Sequence, residues 1–278
     1  MTHLIILRGG GDLASGVALR LYRSGFQLVI IELEKPLAVR RTVSFAEAVY
    51  EGTQNVEGVT ARLVSADQIQ VTLEGGEIPV LVDPQANILR NQFLTSPQST
   101  IVIDARLLKA EPEPLDVKVA LHIGLGPGFI AGENCHAVIE TRRGHTLGRV
   151  YWSGSAQADS GQPDGDPRRV LRATAAGRLA PLVKLGDHVG AGQIVAKIRD
   201  ERDREVGAVV SVLAGILRGL LRADMPVTPG MKIGDVDPRD DPSYVRLVSD
   251  KALAVGGGVL EAILTQQKIQ NSEFKIQN

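Results

Sequence analysis

The chain has 278 residues, with 31 Lys and Arg against 32 Asp and Glu, 44% hydrophobic residues and a mean hydropathy of +0.03. That apolar content excludes a wholly disordered chain, and a net charge of −1 excludes a general attraction for polyanions, so no nucleic-acid partner is expected. The single cysteine, Cys135, excludes an internal disulfide and an all-thiolate metal cage. It reads as an inert thiol in a cytoplasmic protein. The basic residues are 22 Arg and only 9 Lys, a bias that fits either anion recognition by planar forks or genomic composition.

In chain order, Leu4 to Leu7 is a short apolar run that meets Arg8-Gly9-Gly10-Gly11-Asp12-Leu13-Ala14-Ser15-Gly16 and then a helical pattern through Leu19, Leu21 and Tyr22. Gly25 ends that helix, and Leu28 to Ile31 follows as a second buried strand closing at Glu32, which makes a strand–helix–strand unit. The start of the chain therefore reads as a strand and not as a signal peptide. Thr60 to Val64 and Ile69 to Leu73 alternate around Ala66-Asp67 and predict an antiparallel hairpin insert. Val80 to Val82 before Asp83, and Ile101 to Ile103 before Asp104-Ala105-Arg106, predict strands whose carboxyl ends carry polar groups. Val117 to Ile123 predicts a further strand leading into Gly124-Leu125-Gly126-Pro127-Gly128-Phe129. Ala137 to Ile139 and Gly148 to Tyr151 flank Glu140-Thr141-Arg142-Arg143-Gly144-His145.

Ser, Asp, Gly and Pro dominate from Gly154 to Arg169, which predicts a linker or mobile loop. Beyond it a pattern repeats at an offset of 38 residues, pairing Gly177 with Gly215, Leu179 with Leu217, Leu182 with Leu220, Val189 with Val227, Gly192 with Gly230, Val195 with Ile233 and Ile198 with Val236. Two such halves predict a pseudo-symmetric barrel-sandwich. Arg172 to Asp237 resembles a biotinyl/lipoyl-type domain, but the hairpin Arg199 to Arg204 has no lysine to acylate, so a docking or structural module is expected. The longest apolar stretch, Val206 to Leu217, is too short to span a bilayer and stops at Arg218, so no membrane partner is expected. Val259 to Leu264 predicts an amphipathic helix with Gly256-Gly257-Gly258 upstream. The sequence after it is low in complexity and predicts disorder. The fold expectation is thus α/β: a Rossmann-like domain with a hairpin insert (1–153), a linker loop (154–169), a biotinyl/lipoyl-like β barrel-sandwich with a C-terminal helix (170–264) and a tail (265–278).

The glycine turn is the strongest chemical signal, because glycines let backbone amides approach a phosphate and a helix N-terminus favours negative charge. Gly9, Gly10, Gly11 and Gly16 depart from the usual dinucleotide spacing, and Asp12 places an anion where a pyrophosphate would sit. Glu32 stands where a carboxylate would grip a ribose. Arg8, Arg40 and Arg41 are candidates for neutralising a phosphate, against plain surface charge. Glu140 and His145 are candidate proton-transfer groups, with Arg142, Arg143, Gly126 and Gly128 as candidate substrate contacts, against a solvated hairpin turn. The histidines show no paired metal-ligand spacing, so no metal site is expected. The sequence also lacks the glycine–serine elbow of hydrolases and the P-loop lysine motif.

Arg8 to Gly16, Val39-Arg40-Arg41-x-Val43-Ser44-Phe45-x-x-Ala48-Val49-Tyr50, Gly124 to Phe129, Ile139-Glu140-Thr141-x-Arg143-Gly144-His145 and Gly234 to Arg239 together resemble the YqeB family. The resemblance runs in order from the first strand to about Leu264. It implies an accessory role in maturing a molybdenum hydroxylase of the selenium-dependent system, with that hydroxylase or its maturation machinery as partner. It carries no catalytic residue over, and one cysteine offers no pair for sulfur relay. The functional expectation is a maturation factor that binds a nucleotide-bearing anion, such as the molybdenum cofactor in dinucleotide form, at the glycine turn. A dinucleotide-dependent oxidoreductase and a non-catalytic scaffold docking the hydroxylase stand as alternatives. A homo-oligomer is left open.

Overall fold

The computed structural model describes residues 3–91, 94–161 and 165–276, with side chains described as far as Lys268. The chain divides into two compact units: Met1–Pro36, Ser44–Asp159 and Val248–Asn278 form one, and Leu37–Val43 with Ser160–Leu247 form the other.

The first unit opens as its sequence predicts, with β1 (Leu4–Arg8), α1 (Asp12–Arg23) and β2 (Gln27–Glu32). A short α2 (Ala48–Glu51) leads to β3 (Thr53–Val56) and β4 (Val59–Leu63), then α3 (Ile69–Glu74) and β5 (Ile78–Val82). After these come β6 (Thr100–Asp104), β7 (Leu121–Leu125), β8 (Ile130–Ala131), β9 (Ala137–Ile139), β10 (Val150–Tyr151) and β11 (Gly154–Ser155). Among the described residues one nine-stranded sheet runs β10-β9-β7-β6-β1-β2-β5-β4-β3. From β9 to β4 the neighbours are parallel, and both outermost pairs are antiparallel. The central strands are apolar on both faces, as strands covered on both sides must be.

Two expectations for this unit are corrected. The hairpin insert is β3 with β4, and Ile69 to Leu73 is helical. Ser65 and Gln68 form a reciprocal capping box ahead of α3, and its buried side chains, Ile69 and Thr72, are three apart rather than two. The Rossmann-like reading is replaced by a mixed α/β fold built on a large sheet, because among the described residues the connections after β2 carry only the short helices α2 and α3, and those after β5 carry no α-helix. Two short helices, α2 and α3, flank the β3–β4 hairpin between β2 and β5, and among the described residues the connections from β5 to β6 and from β6 to β7 hold no α-helix. Apolar runs ending in polar residues signal parallel strands, but they say nothing about what connects them.

The last helix, α4 (Asp250–Ile276), belongs to this first unit and crosses α1. Gly256, Gly257 and Gly258 sit inside it, not ahead of it, and its backbone continues to Ile276 where the sequence predicts disorder. Gln277 and Asn278 lie outside the described residues, as do residues 162–164 of the expected linker. Other parts of that linker are ordered: β11 pairs with β8, and Ala156 is buried.

The second unit holds β12 (Val170–Arg172), β13 (Gly177–Pro181), β14 (His188–Val189), β15 (Ile194–Arg199), β16 (Glu205–Val210), β17 (Gly215–Leu220), β18 (Pro226–Val227) and β19 (Lys232–Asp237). The repeat is real at the level of elements, since β13, β14 and β15 start 38 residues before β17, β18 and β19. The expected biotinyl/lipoyl-like barrel-sandwich is nonetheless corrected. The strands form two four-stranded antiparallel sheets, β12-β19-β17-β14 and β16-β15-β13-β18, and each half lends its shortest strand to the other half's sheet. Leu179, Leu217, Val189, Val227, Val195, Ile233, Ile198 and Val236 fill the shared core, whereas Leu182 is exposed and its repeat mate Leu220 is buried. A repeat specifies which strands recur, and their closure is decided by tertiary pairing.

Candidate functional site

Arg8, Glu32 and Asp104 close β1, β2 and β6, and Asp83 follows β5, so four ionisable groups lie at the carboxyl ends of neighbouring parallel strands. At the end of β1 the chain turns through Gly9, Gly10 and Gly11, with Gly9 at φ +93° donating its N–H to the Ile31 carbonyl at 2.8 Å. The Gly10 amide donates to Glu32 Oε2 and the Leu33 amide to Glu32 Oε1, both at 2.7 Å. Burial pushes the Glu32 carboxyl above its ordinary range, against the lowering effect of these two N–H donors. Ala46 N donates to the Gly10 carbonyl at 2.8 Å, and Ser15 Oγ accepts from Phe45 N at 2.8 Å, so residues 44–46 close one side of the turn. Gly11 precedes α1 without a side-chain cap, and a Cβ built on it would meet nothing within 4 Å. Asp12 lies in the first helical turn, where its charge complements the helix dipole. Gly16 serves packing instead: a Cβ there would come within 2.5 Å of Ala252 Cβ on α4.

Arg8 has a partner within the chain. The register of β1 on β6 sets it beside Asp104, and Arg8 Nη1 lies 3.1 Å from Asp104 Oδ2. Arg106 grips the same carboxylate, Nε to Oδ1 at 3.0 Å and Nη2 to Oδ2 at 2.7 Å, and its Nη1 reaches Glu113 at 3.0 Å. Asp104 has no exposed surface. On β7, His122 packs edge-on to Phe129 with ring centroids 6.0 Å apart, and its Nε2 has no hydrogen-bond partner among the described residues. Burial lowers its pKa to about 4.

The remaining sequence candidates lie elsewhere or are engaged. Arg40 and Arg41 belong to the second unit. There Arg40 Nη2 donates to the Tyr244 and Leu247 carbonyls at 2.9 and 2.8 Å, and Arg41 Nε to the Leu220 carbonyl at 2.8 Å. These bonds tie both side chains into that unit's packing. Glu140 is fully buried after β9, and its two oxygens accept from Arg142 N at 2.8 Å and Gln157 N at 2.9 Å. It anchors its own loop, whereas the expected proton partner His145 is exposed. Arg142 contacts Gln157, and Arg143 makes a bidentate pair with Asp250 at 2.7 and 2.8 Å, which ties the loop to the start of α4. Gly126 and Gly128 have positive φ, and a Cβ built on them would meet Thr141 and Ala110. Three strand spacings separate the ends of β9 and β1, roughly 14 Å. Glu140 and the glycine turn therefore share an edge of the sheet but no cluster of side chains.

Asp104, Arg106 and His122 are the site residues that sequence reasoning passed over. The polar end of β6 was visible, but its pairing with Arg8 depends on register, and His122 carries no local signal. Cys135 is buried with its thiol pushed up to about 11, the protonated and unreactive form. Among the described residues no group of three or more His, Cys, Asp or Glu is arranged to hold a metal, and no helix is long and apolar enough to cross a membrane.

No protein-family model matches the chain. Solved structures similar to it include the product-bound ectoine utilization protein EutE (DoeB) from Ruegeria pomeroyi, at 10% identity and a TM-score of 0.24, covering 84% of this chain and 57% of that one. An aspartoacylase family protein from Mesorhizobium loti gives 9% identity and a TM-score of 0.26, with 84% of each chain covered. A succinylglutamate desuccinylase/aspartoacylase from Rhodobacter sphaeroides gives 11% and 0.27, covering 84% of this chain and 85% of that one. Scores this low carry neither fold nor function across. In sequence, the chain is similar to the uncharacterized protein YqeB of Escherichia coli (strain K12), with 47% identity over 268 residues. The match takes in 94% of this chain and spans about half the length of that relative, 47%. Identity at that level along nearly the whole chain supports the YqeB family that the motifs suggest.

Proposed function

We propose that the chain is an accessory factor for a molybdenum hydroxylase of the selenium-dependent system, and that it binds a nucleotide-bearing anionic ligand at the turn between β1 and α1. The hydroxylase context rests on the YqeB resemblance. The binding site rests on one observation: the Gly10 and Leu33 amides hold the Glu32 carboxylate beside Gly11, where the chain leaves open space. A carboxylate that accepts two N–H bonds still has lone pairs for a pair of ligand hydroxyls, and the first turn of α1 offers amides to a phosphate. The ligand residues on this reading are Gly9, Gly10, Gly11, Asp12 and Glu32, without the three arginines. The molybdenum cofactor in its dinucleotide form is the cargo the resemblance suggests.

Thermal unfolding against NAD, NADP, FAD, ATP, CTP, a pterin dinucleotide and pyrophosphate tests this. A ligand at about 100 times its Kd stabilises by roughly 2.7 kcal/mol. Gly11→Val removes the open space without strain, because Gly11 sits at φ −63° and ψ 179°, and it is expected to abolish the shift in a protein that still folds. A nicotinamide nucleotide as the sole ligand favours an oxidoreductase. The absence of any shift favours a scaffold, a reading to which the internally engaged Arg40 and Glu140 lend support.

A further inference from the structure

Three carboxylates stand at the ends of neighbouring strands and are met in different ways. Asp104 on β6 is paired by Arg8 and Arg106, and Asp83 after β5 is buried with its oxygens taken by the Asn87 and Ile88 amides. Glu32 on β2 is only partly buried, and its oxygens accept one backbone N–H each, from Gly10 and Leu33. Among the described residues it makes no ion pair, and its carboxyl is shifted by burial and those two donors, with no cation contributing. Each oxygen keeps a lone pair for a further donor.

Register accounts for the missing cation. The β1 chain beside Glu32 is Gly9 and Gly10, which bring no side chain, and Val82 of β5 pairs with Glu32, shares its face and is 43% exposed. Arg8 pairs with Ile31, so it points to the opposite face, where it holds Asp104. Asp12 in the first turn of α1 adds a second acid, and Glu34 and Lys35 on the exposed segment after β2 carry opposite charges. A carboxylate in this setting accepts neutral hydroxyl donors, whereas a negatively charged group at the same place meets like charge with no offsetting cation.

We propose that Glu32 is the specificity-determining residue of the glycine-turn site: it selects nucleotides whose ribose 2′- and 3′-hydroxyls are both free, one donating to each carboxylate oxygen, and rejects those carrying a 2′-phosphate. The inference rests on the nucleotide reading of that turn and names what the ligand carries there. Two adjacent hydroxyls match two adjacent acceptor oxygens, and a bond to an ionised acceptor is stronger than one to a neutral group. A 2′-phosphate replaces one of these donors by a group charged about −1.5 to −2 at pH 7. The exposed Val82 side chain offers an apolar contact and no charge to hold such a phosphate.

Isothermal titration calorimetry of the full-length chain at neutral pH, with ADP, 2′-deoxy-ADP and 2′-phospho-ADP and with the three matching cytidine nucleotides, tests this. In the base series that binds, the deoxy form is expected to bind about tenfold more weakly than the free diol, and the 2′-phosphate about a hundredfold or more. Glu32→Gln removes the charge and keeps the shape. It should narrow the gap between the diol and the 2′-phosphate by about tenfold, whereas Gly11→Val abolishes binding of all three alike. The wild-type ratios decide by themselves where the variant does not fold. Equal binding of the three forms, or tighter binding of the 2′-phosphate, overturns the proposal and leaves the glycine-turn site standing. So does an equal loss of all three in Glu32→Gln, which would make the carboxylate a brace for the turn only. Binding of neither series removes the site and the inference together.

Discussion

Asp104 shows how a single carboxylate organises a strand end. It has no solvent contact, and two guanidiniums depend on it. Removing one partner of a buried ion pair strands the other charge, so Asp104→Asn is expected to cost about 3–5 kcal/mol, read as a lower urea midpoint with an unchanged slope. His122 makes the complementary prediction. Burial holds its pKa near about 4 against 6.5 for a free imidazole, so between those values the unfolded chain binds a proton that the folded chain refuses. The stability tied to His122 is therefore complete above pH ~6.5 and lost as pH falls toward ~4, by about 3 kcal/mol at most. Urea midpoints between pH 7 and 4.5 should fall less steeply in His122→Gln than in the wild type; parallel curves would mean that the imidazole is not the titrating group. At this scale the sequence revealed Arg8, through its position before the glycines. Its partner stayed hidden, because the two residues are 96 apart in the chain and meet only through the register of β1 on β6.

Among the elements, the crossing of α1 and α4 explains glycines that the sequence read otherwise. Gly16 admits Ala252, and Gly256 lies against the Gly16 carbonyl and the Arg20 side chain. Each glycine inside a helix costs roughly 0.5–1 kcal/mol relative to alanine, so glycines held there need a compensating close approach. Gly16→Ala is accordingly expected to destabilise by about 1–3 kcal/mol despite its better helix propensity, since the added methyl meets backbone and Cβ atoms that cannot both withdraw. Gly257, exposed and with nothing within 4 Å of an added Cβ, is the control: Gly257→Ala should stabilise by about 0.5–1 kcal/mol. Equal effects of the two substitutions in thermal unfolding would contradict the packing account. The helix misread as a strand at Ile69 has a similar lesson, because alternation over five residues is ambiguous, while the Ser65 and Gln68 capping box was the decisive local cue.

At the scale of the whole molecule, sequence order and spatial order part company. Residues 37–43, which carry Arg40 and Arg41, fold with the second unit, and α4, the last element, folds with the first. A fragment ending at Asp159 therefore lacks the helix that covers α1. It should lose cooperative thermal unfolding, whereas the same fragment supplied with residues 248–276 as a peptide should regain it. The strands of the repeat, the first strand–helix–strand unit and the buried apolar sets were determined by the sequence alone, because periodicity, glycine placement and burial are properties of neighbours along the chain. The YqeB resemblance was legible there too. Only the tertiary structure decided which strands pair, that the repeat halves exchange their short strands, and that Glu140, Arg40 and Arg8 have partners inside the chain. Those outcomes depend on register and long-range contact, and a side chain's availability for chemistry is settled by what lies across from it in space.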